Sequence, residues 1–73
     1  MKKVVFSGHA IMRMKEKRQY GITKDDVINW AQKLPGRITH LSFKCFAESG
    51  RCFEIVVSDK DDIRTIITII GIE

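Results

Sequence analysis

His9, Arg13, Lys17 and Tyr20 recur at the spacing that lines side chains up on one stripe of an α-helix, at about 100° per residue. A histidine aligned with two cations and a phenol makes a surface for holding phosphate and moving protons. In the first turn of its helix, His9 meets the positive end of the helix dipole and the charge of Arg13, both of which disfavour the imidazolium form. A neutral imidazole near physiological pH is a general base, and Arg13 can stabilise charge on a phosphoryl group. RNA cleavage without a metal needs this combination: a base for the 2′-hydroxyl, cations for the phosphate and an acid for the leaving oxygen. A solvated basic helix face is the commoner meaning of such a stripe, and the residues alone leave both readings open.

His40 is the candidate second proton carrier, although nothing in the sequence brings it to His9. It shares a strand face with Lys44, Ser42, Glu54 and Ser58, which either lines a cleft, with Lys44 as a nucleic-acid contact, or is plain solvent-facing sheet. Phe46 and Val56 add apolar patches to that face, which suits a dimer interface or peptide binding. Arg18 falls at an angle between Ile11 and Met14, so its stem should lie along the core stripe. Its head would reach Asp25 or Asp26, a structural fork between two helices.

These side chains need elements to hold them. Residues 1–6 read as a short extended lead-in. Ser7 is an N-cap, with a hydrophobic staple from Phe6 to Ile11, and the first helix is expected from Gly8 to Tyr20, stopping at Gly21. Ala10, Ile11 and Met14 form its core stripe. Thr23 caps a second helix through a capping box with Asp26, and Ile22 staples onto Val27. Val27, Trp30, Ala31 and Leu34 share one stripe, so this helix is for packing, and Pro35-Gly36 ends it.

The hydrophobic period then changes to two. Leu41, Phe43 and Cys45 alternate with polar neighbours, as do Phe53, Ile55 and Val57. A two-residue turn between these strands would set Cys45 opposite Glu54. A three-residue loop, Glu48-Ser49-Gly50 with Gly50 left-handed, sets Leu41 opposite Val57, Phe43 opposite Ile55 and Cys45 opposite Phe53, with all six on one face. Cys45 then points inward and Cys52 outward, so both are expected as free thiols. Asp59 to Asp62 reads as a solvated turn, and Ile63 to Ile70 as a last strand buried on both sides. The expected fold is α+β: two N-terminal helices packed on a three-stranded, or four-stranded, antiparallel sheet, forming one domain over residues 1–73.

Composition bounds the function loosely. At 73 residues with 44% hydrophobic and 30% charged residues, the chain is near the lower limit for a core that folds alone, which makes self-association as a homodimer an expectation. A net charge of +4 favours an anionic partner such as RNA. No apolar run is long enough to span a bilayer, no signal-peptide core is present, and the cysteine and histidine spacing fits no zinc site. The expectation is a cytoplasmic protein without metal or cofactor.

The stretch Phe6-Ser7-Gly8-His9-Ala10, followed by Arg13-Met14, Arg18 and Gly21-Ile22-Thr23-Lys24-Asp25-Asp26-Val27, resembles the opening of a family of small bacterial and archaeal proteins. Those proteins begin HA…R…R-G-I…D-V, end in a short β-sheet, and are similar in layout to RelE- and BrnT-type toxins of toxin–antitoxin systems. The resemblance implies RNA cleavage or association with the ribosome, and an antitoxin protein as partner. It puts His9, Arg13 and Arg18 at the family's His and Arg positions, and Thr68 at a threonine often seen near its C-terminus. The chain departs from the family pattern by inserting Gln19-Tyr20 between Arg18 and Gly21, which lengthens the expected first helix.

Overall fold

The computed structural model describes residues 3–16 and 19–72. Along the chain run β1 (Lys3–Phe6), α1 (Gly8–Met14), α2 (Lys24–Lys33), β2 (Leu41–Phe46), β3 (Cys52–Lys60) and β4 (Ile63–Ile72). The α+β expectation holds, with two corrections. The lead-in is a strand, so the helices follow β1 rather than opening the chain. The sheet is also mixed: its order is β1-β4-β3-β2, with β1 parallel to β4 and the other neighbours antiparallel. Residues 3–6 complete one edge of β4 over Ile63–Ile66, a partner some sixty residues away that no local pattern announces.

The β2–β3 hairpin matches its expected register. Leu41 faces Val57, Phe43 faces Ile55 and Cys45 faces Phe53. The Ala47 N–H donates to the Arg51 carbonyl at 2.8 Å and closes the three-residue loop, with Gly50 at φ +93°. Phe53, Ile55, Val57 and Cys45 are fully buried, whereas Leu41 at the end of the strand is 55% exposed.

The second hairpin differs from expectation. β3 continues through Asp59 to Lys60, and only Asp61 and Asp62 turn, Asp61 at φ +55°. Asp59 is 5% exposed rather than solvated. A register shift between Val56 and Val57 sets Val56 opposite Thr68 and Val57 opposite Ile66, leaving Ile67 as the bulged residue. The bulge is why Ile66 and Ile69, an odd number of residues apart, both reach the core.

Both helices pack on that same face. Ala10, Val27 and Ala31 join Phe53, Ile55, Val57, Ile66 and Ile69 in one buried cluster, with Met14, Trp30 and Leu34 packed against it. Ile11, expected in the core stripe, is 38% exposed. The opposite face of the sheet is uncovered, so β4 is not buried on both sides: Ile63 and Ile70 there are exposed.

The caps read from sequence are present. Thr23 Oγ1 accepts from the Asp26 N–H at 3.1 Å, and Asp26 Oδ2 accepts from the Thr23 N–H at 2.9 Å. Asp26 Oδ1 also accepts from the Glu48 N–H at 3.1 Å, tying α2 to the first hairpin loop. Those bonds, the Thr23 backbone bond foremost, hold the Asp26 carboxyl below its ordinary value of 3.8 against the opposing effect of burial.

Among the described residues Arg64 is the largest side chain buried in full, and sequence reading passed it over. Its five N–H donors all find acceptors: Asp59 Oδ1 and Oδ2 at 2.8 Å each, and the carbonyls of Ala31, Leu34 and Gly36. The α2 carbonyls are among those a helix end leaves unpaired, so Arg64 caps α2 from the sheet. Asp59 Oδ2 accepts the Ile38 N–H as well, and the Asp59 carboxylate keeps the guanidinium charged by raising its pKa.

Candidate functional site

Ser7 places α1. Its Oγ accepts from the Ala10 N–H at 3.1 Å and donates to the Ile67 carbonyl at 2.7 Å, so the helix start is fastened to β4 just beyond the end of β1. With Ala10 fully buried beneath the helix, His9, Met12 and Arg13 turn to solvent.

After Met14 the winding tightens. The Lys15, Glu16, Gln19 and Ile22 N–H groups each bond the carbonyl three residues back, and α1 ends six residues before the expected Tyr20. The tighter path turns Gln19 inward, where it is 2% exposed and its Nε2 donates to the Ile69 carbonyl at 3.3 Å. That bond covers part of the β4 edge that β1 leaves open. At Gly21 the backbone has φ +82°, and a Cβ there would meet Ser49 Oγ at 3.0 Å, the atom that donates to the Gly21 carbonyl.

This path breaks the four-residue stripe. His9 and Arg13 remain neighbours, with Arg13 Nε directed at His9 Nε2 across 3.4 Å. Tyr20 lies beyond the helix, 84% exposed, and its carbonyl accepts from Arg51 Nη1. Lys17, expected to bind phosphate, and Arg18, expected to fork to Asp25 or Asp26, lie outside the described residues.

His40 and His9 are not brought together. His40 sits exposed at φ +53° where the chain enters β2, and β2 is the edge strand opposite β1. The helix bearing His9 packs on β1 and β4. Three strand spacings, roughly 14 Å, separate the two edges. Lys44 is exposed on the uncovered face, paired in register with Glu54. Thr68 lies on that side of β4, half-buried, its Oγ1 without a hydrogen-bond partner among the described residues.

The residue that does join His9 and Arg13 is Glu16. Arg13 Nη1 stands 3.3 Å from Glu16 Oε1, and His9, Met12, Arg13 and Glu16 line one open cleft of about 260 Å³. Glu16 is seven residues from His9 and three from Arg13, a spacing already visible in the sequence. The cleft thus holds an imidazole, a carboxylate and, between them, a guanidinium.

Burial pushes the Cys45 thiol up to about 11, and its Sγ faces the Phe43 carbonyl. Both cysteines are free thiols. Among the described residues no group of three or more His, Cys, Asp and Glu side chains is gathered to hold a metal ion, and no helix is long and apolar enough to cross a membrane. No protein-family model, curated protein or solved structure matches the chain.

Proposed function

We propose that this protein is a toxin-like endoribonuclease that cleaves RNA at the α1 cleft without a metal ion. The observation that carries the reading is the convergence of His9, Arg13 and Glu16, since this one cleft offers two proton carriers and a fixed cation. Neutral His9 takes the proton of a ribose 2′-hydroxyl as its oxygen attacks phosphorus, and the departing 5′-oxygen takes its proton from the imidazolium so formed, with Glu16 beside Arg13 as the second proton carrier of the cleft. One phosphorus–oxygen bond forms and one breaks, leaving a 2′,3′-cyclic phosphate and a free 5′-hydroxyl. Arg13 sits between the two and stabilises the charge on the non-bridging oxygens. In the free protein Arg13 engages Glu16 and His9; a phosphate entering the cleft would take over those donors. His40 has no part in this scheme.

The test is incubation of purified protein with defined single-stranded RNA, and with ribosome-bound message, in the presence of a chelator. Cleavage leaving cyclic phosphate ends is expected, and His9→Ala or Glu16→Gln should each slow it about 10²-fold or more. RNA binding that weakens with salt but yields no cleavage would replace the enzyme with a non-catalytic RNA-binding module. If the protein neither binds nor cuts RNA, both ideas fail.

A further inference from the structure

β2 ends the sheet on the side opposite β1, and its outer edge is open. Along an antiparallel strand the N–H and C=O groups of successive residues point alternately to either side. The Ala47 N–H donates to the Arg51 carbonyl beyond β2, so Cys45, Phe43 and Leu41 also turn their backbone groups toward β3. Those of Ser42, Lys44 and Phe46 therefore point outward. Trp30 Nε1 donates to the Phe46 carbonyl at 2.6 Å, which agrees with that direction and closes one end of the edge. Among the described residues nothing pairs with the outward groups of Ser42 and Lys44.

The charge along this edge has one sign. From Val27 to Ala47 the chain carries Lys33, Arg37 and Lys44, all exposed, and no Asp or Glu. Lys33 Nζ lies 5.3 Å from the centre of the Trp30 ring, beside the closed end. On β3 the carboxylates are Glu54, in register with Lys44, and Asp59, which Arg64 already engages. The edge is left positive. On its helical side Leu41 is 55% exposed and Phe43 half-buried.

We propose that β2 takes up an extended acidic peptide as an added strand, its acidic side chains beside Lys44 and its apolar ones against Leu41 and Phe43. Alternating free donors and acceptors fit a strand. A nucleic-acid phosphate would answer the cations but meet the outward carbonyls of Ser42 and Lys44. A second copy has the wrong sign, because pairing β2 with itself gathers both sets of cations along one seam. Lys44 wards off neutral and basic strands, as edge lysines do, and favours an acidic one. The helix bearing His9 packs on β1 and β4, so a strand added to β2 leaves the α1 cleft open, and this binding stands apart from RNA cleavage.

The test is titration of the isotope-labelled protein with a short synthetic peptide of alternating Glu and Val, with amide exchange followed by nuclear magnetic resonance. Exchange at the Ser42 and Lys44 N–H groups is expected to slow about tenfold or more, and binding to weaken as salt rises. Lys44→Glu should weaken binding about tenfold, as should Lys for Glu throughout the peptide or methylation of every peptide nitrogen. The two peptide changes decide even if the protein variant fails to fold. No protection at millimolar peptide overturns the proposal, and so does equal binding of the lysine or the methylated peptide. Protection of these amides by single-stranded RNA in place of the peptide overturns it too.

Discussion

Two arginines in this molecule each meet a carboxylate a few residues away in sequence, and they do opposite work. Arg64 and Asp59 have side chains 2% and 0% exposed, joined by two bonds of 2.8 Å, with every remaining guanidinium donor spent on backbone carbonyls. Arg13 and Glu16 are 25% and 38% exposed and meet once, at 3.3 Å. The first pair is saturated and offers a ligand nothing; its task is to bind the end of α2 to the sheet. The second is a single longer contact, part-exposed and beside a histidine. Burial with complete satisfaction marks a structural arginine. Partial exposure with loose partners marks one that can serve a ligand.

The sharpest way to break the comparison is to remove the buried arginine. Arg64→Met leaves the Asp59 carboxylate buried without its counter-charge and three carbonyls without a donor. A loss of about 3–5 kcal/mol is expected, enough to unfold much of a domain this small. Urea denaturation reads it, and Arg64→Met combined with Asp59→Leu should cost less than the sum of the single changes. If Arg64→Met is tolerated within ~1 kcal/mol, the clamp is not what joins α2 to the sheet.

Next in size is the cleft. Arg13→Ala should reduce RNA cleavage about 10²-fold, some 2.7 kcal/mol of transition-state stabilisation, while the unfolding midpoint stays put. A variant that lost stability and activity together would mean that Arg13 is also structural and would erase the contrast.

Asp26 sharpens the middle ground, since it is buried yet bonded to backbone N–H groups rather than to a cation. Asp26→Ala should cost about 1–2 kcal/mol through loss of the capping box and of the Glu48 tie. Its folded-state pKa lies below the ordinary 3.8, so its contribution is fully present above that value and fades as pH falls through the lower, folded one. Wild-type stability should therefore drop on acidification below pH ~4, and Asp26→Asn should flatten that limb. The smallest effect belongs to the exposed pair as a stability element: Glu16→Gln should shift unfolding by less than about 0.5 kcal/mol.

Legibility followed distance along the chain. The Ser7 and Thr23 caps, the hairpin register from Leu41 to Val57 and the left-handed Gly50 were readable, because each depends on residues within a turn or within one hairpin. The candidate cleft was half readable. His9 and Arg13 share a helical turn and were found together. Glu16 was missed although its spacing from Arg13 is local, and Tyr20 was wrongly assigned to the helix because α1 ends at Met14, where the N–H groups begin to bond three residues back. His40 could be named as a proton carrier but not located, since strand order places it.

By itself the sequence determined the α+β class, two capped helices, one hairpin register and the His9–Arg13 pair. These rest on steric periods and short-range hydrogen bonds that tertiary packing did not disturb. Only the tertiary structure decided that residues 3–6 pair with β4, that a bulge at Ile67 brings Ile66 and Ile69 to one face, and that one sheet face stays uncovered. It likewise decided that Asp59 and Arg64, each unremarkable in its local pattern, form the buried tie. The physical reason is the same in every case. A buried polar group must find its partner wherever the fold supplies one, and a sheet edge takes whatever strand can reach it. Neither requirement leaves a local trace in the sequence.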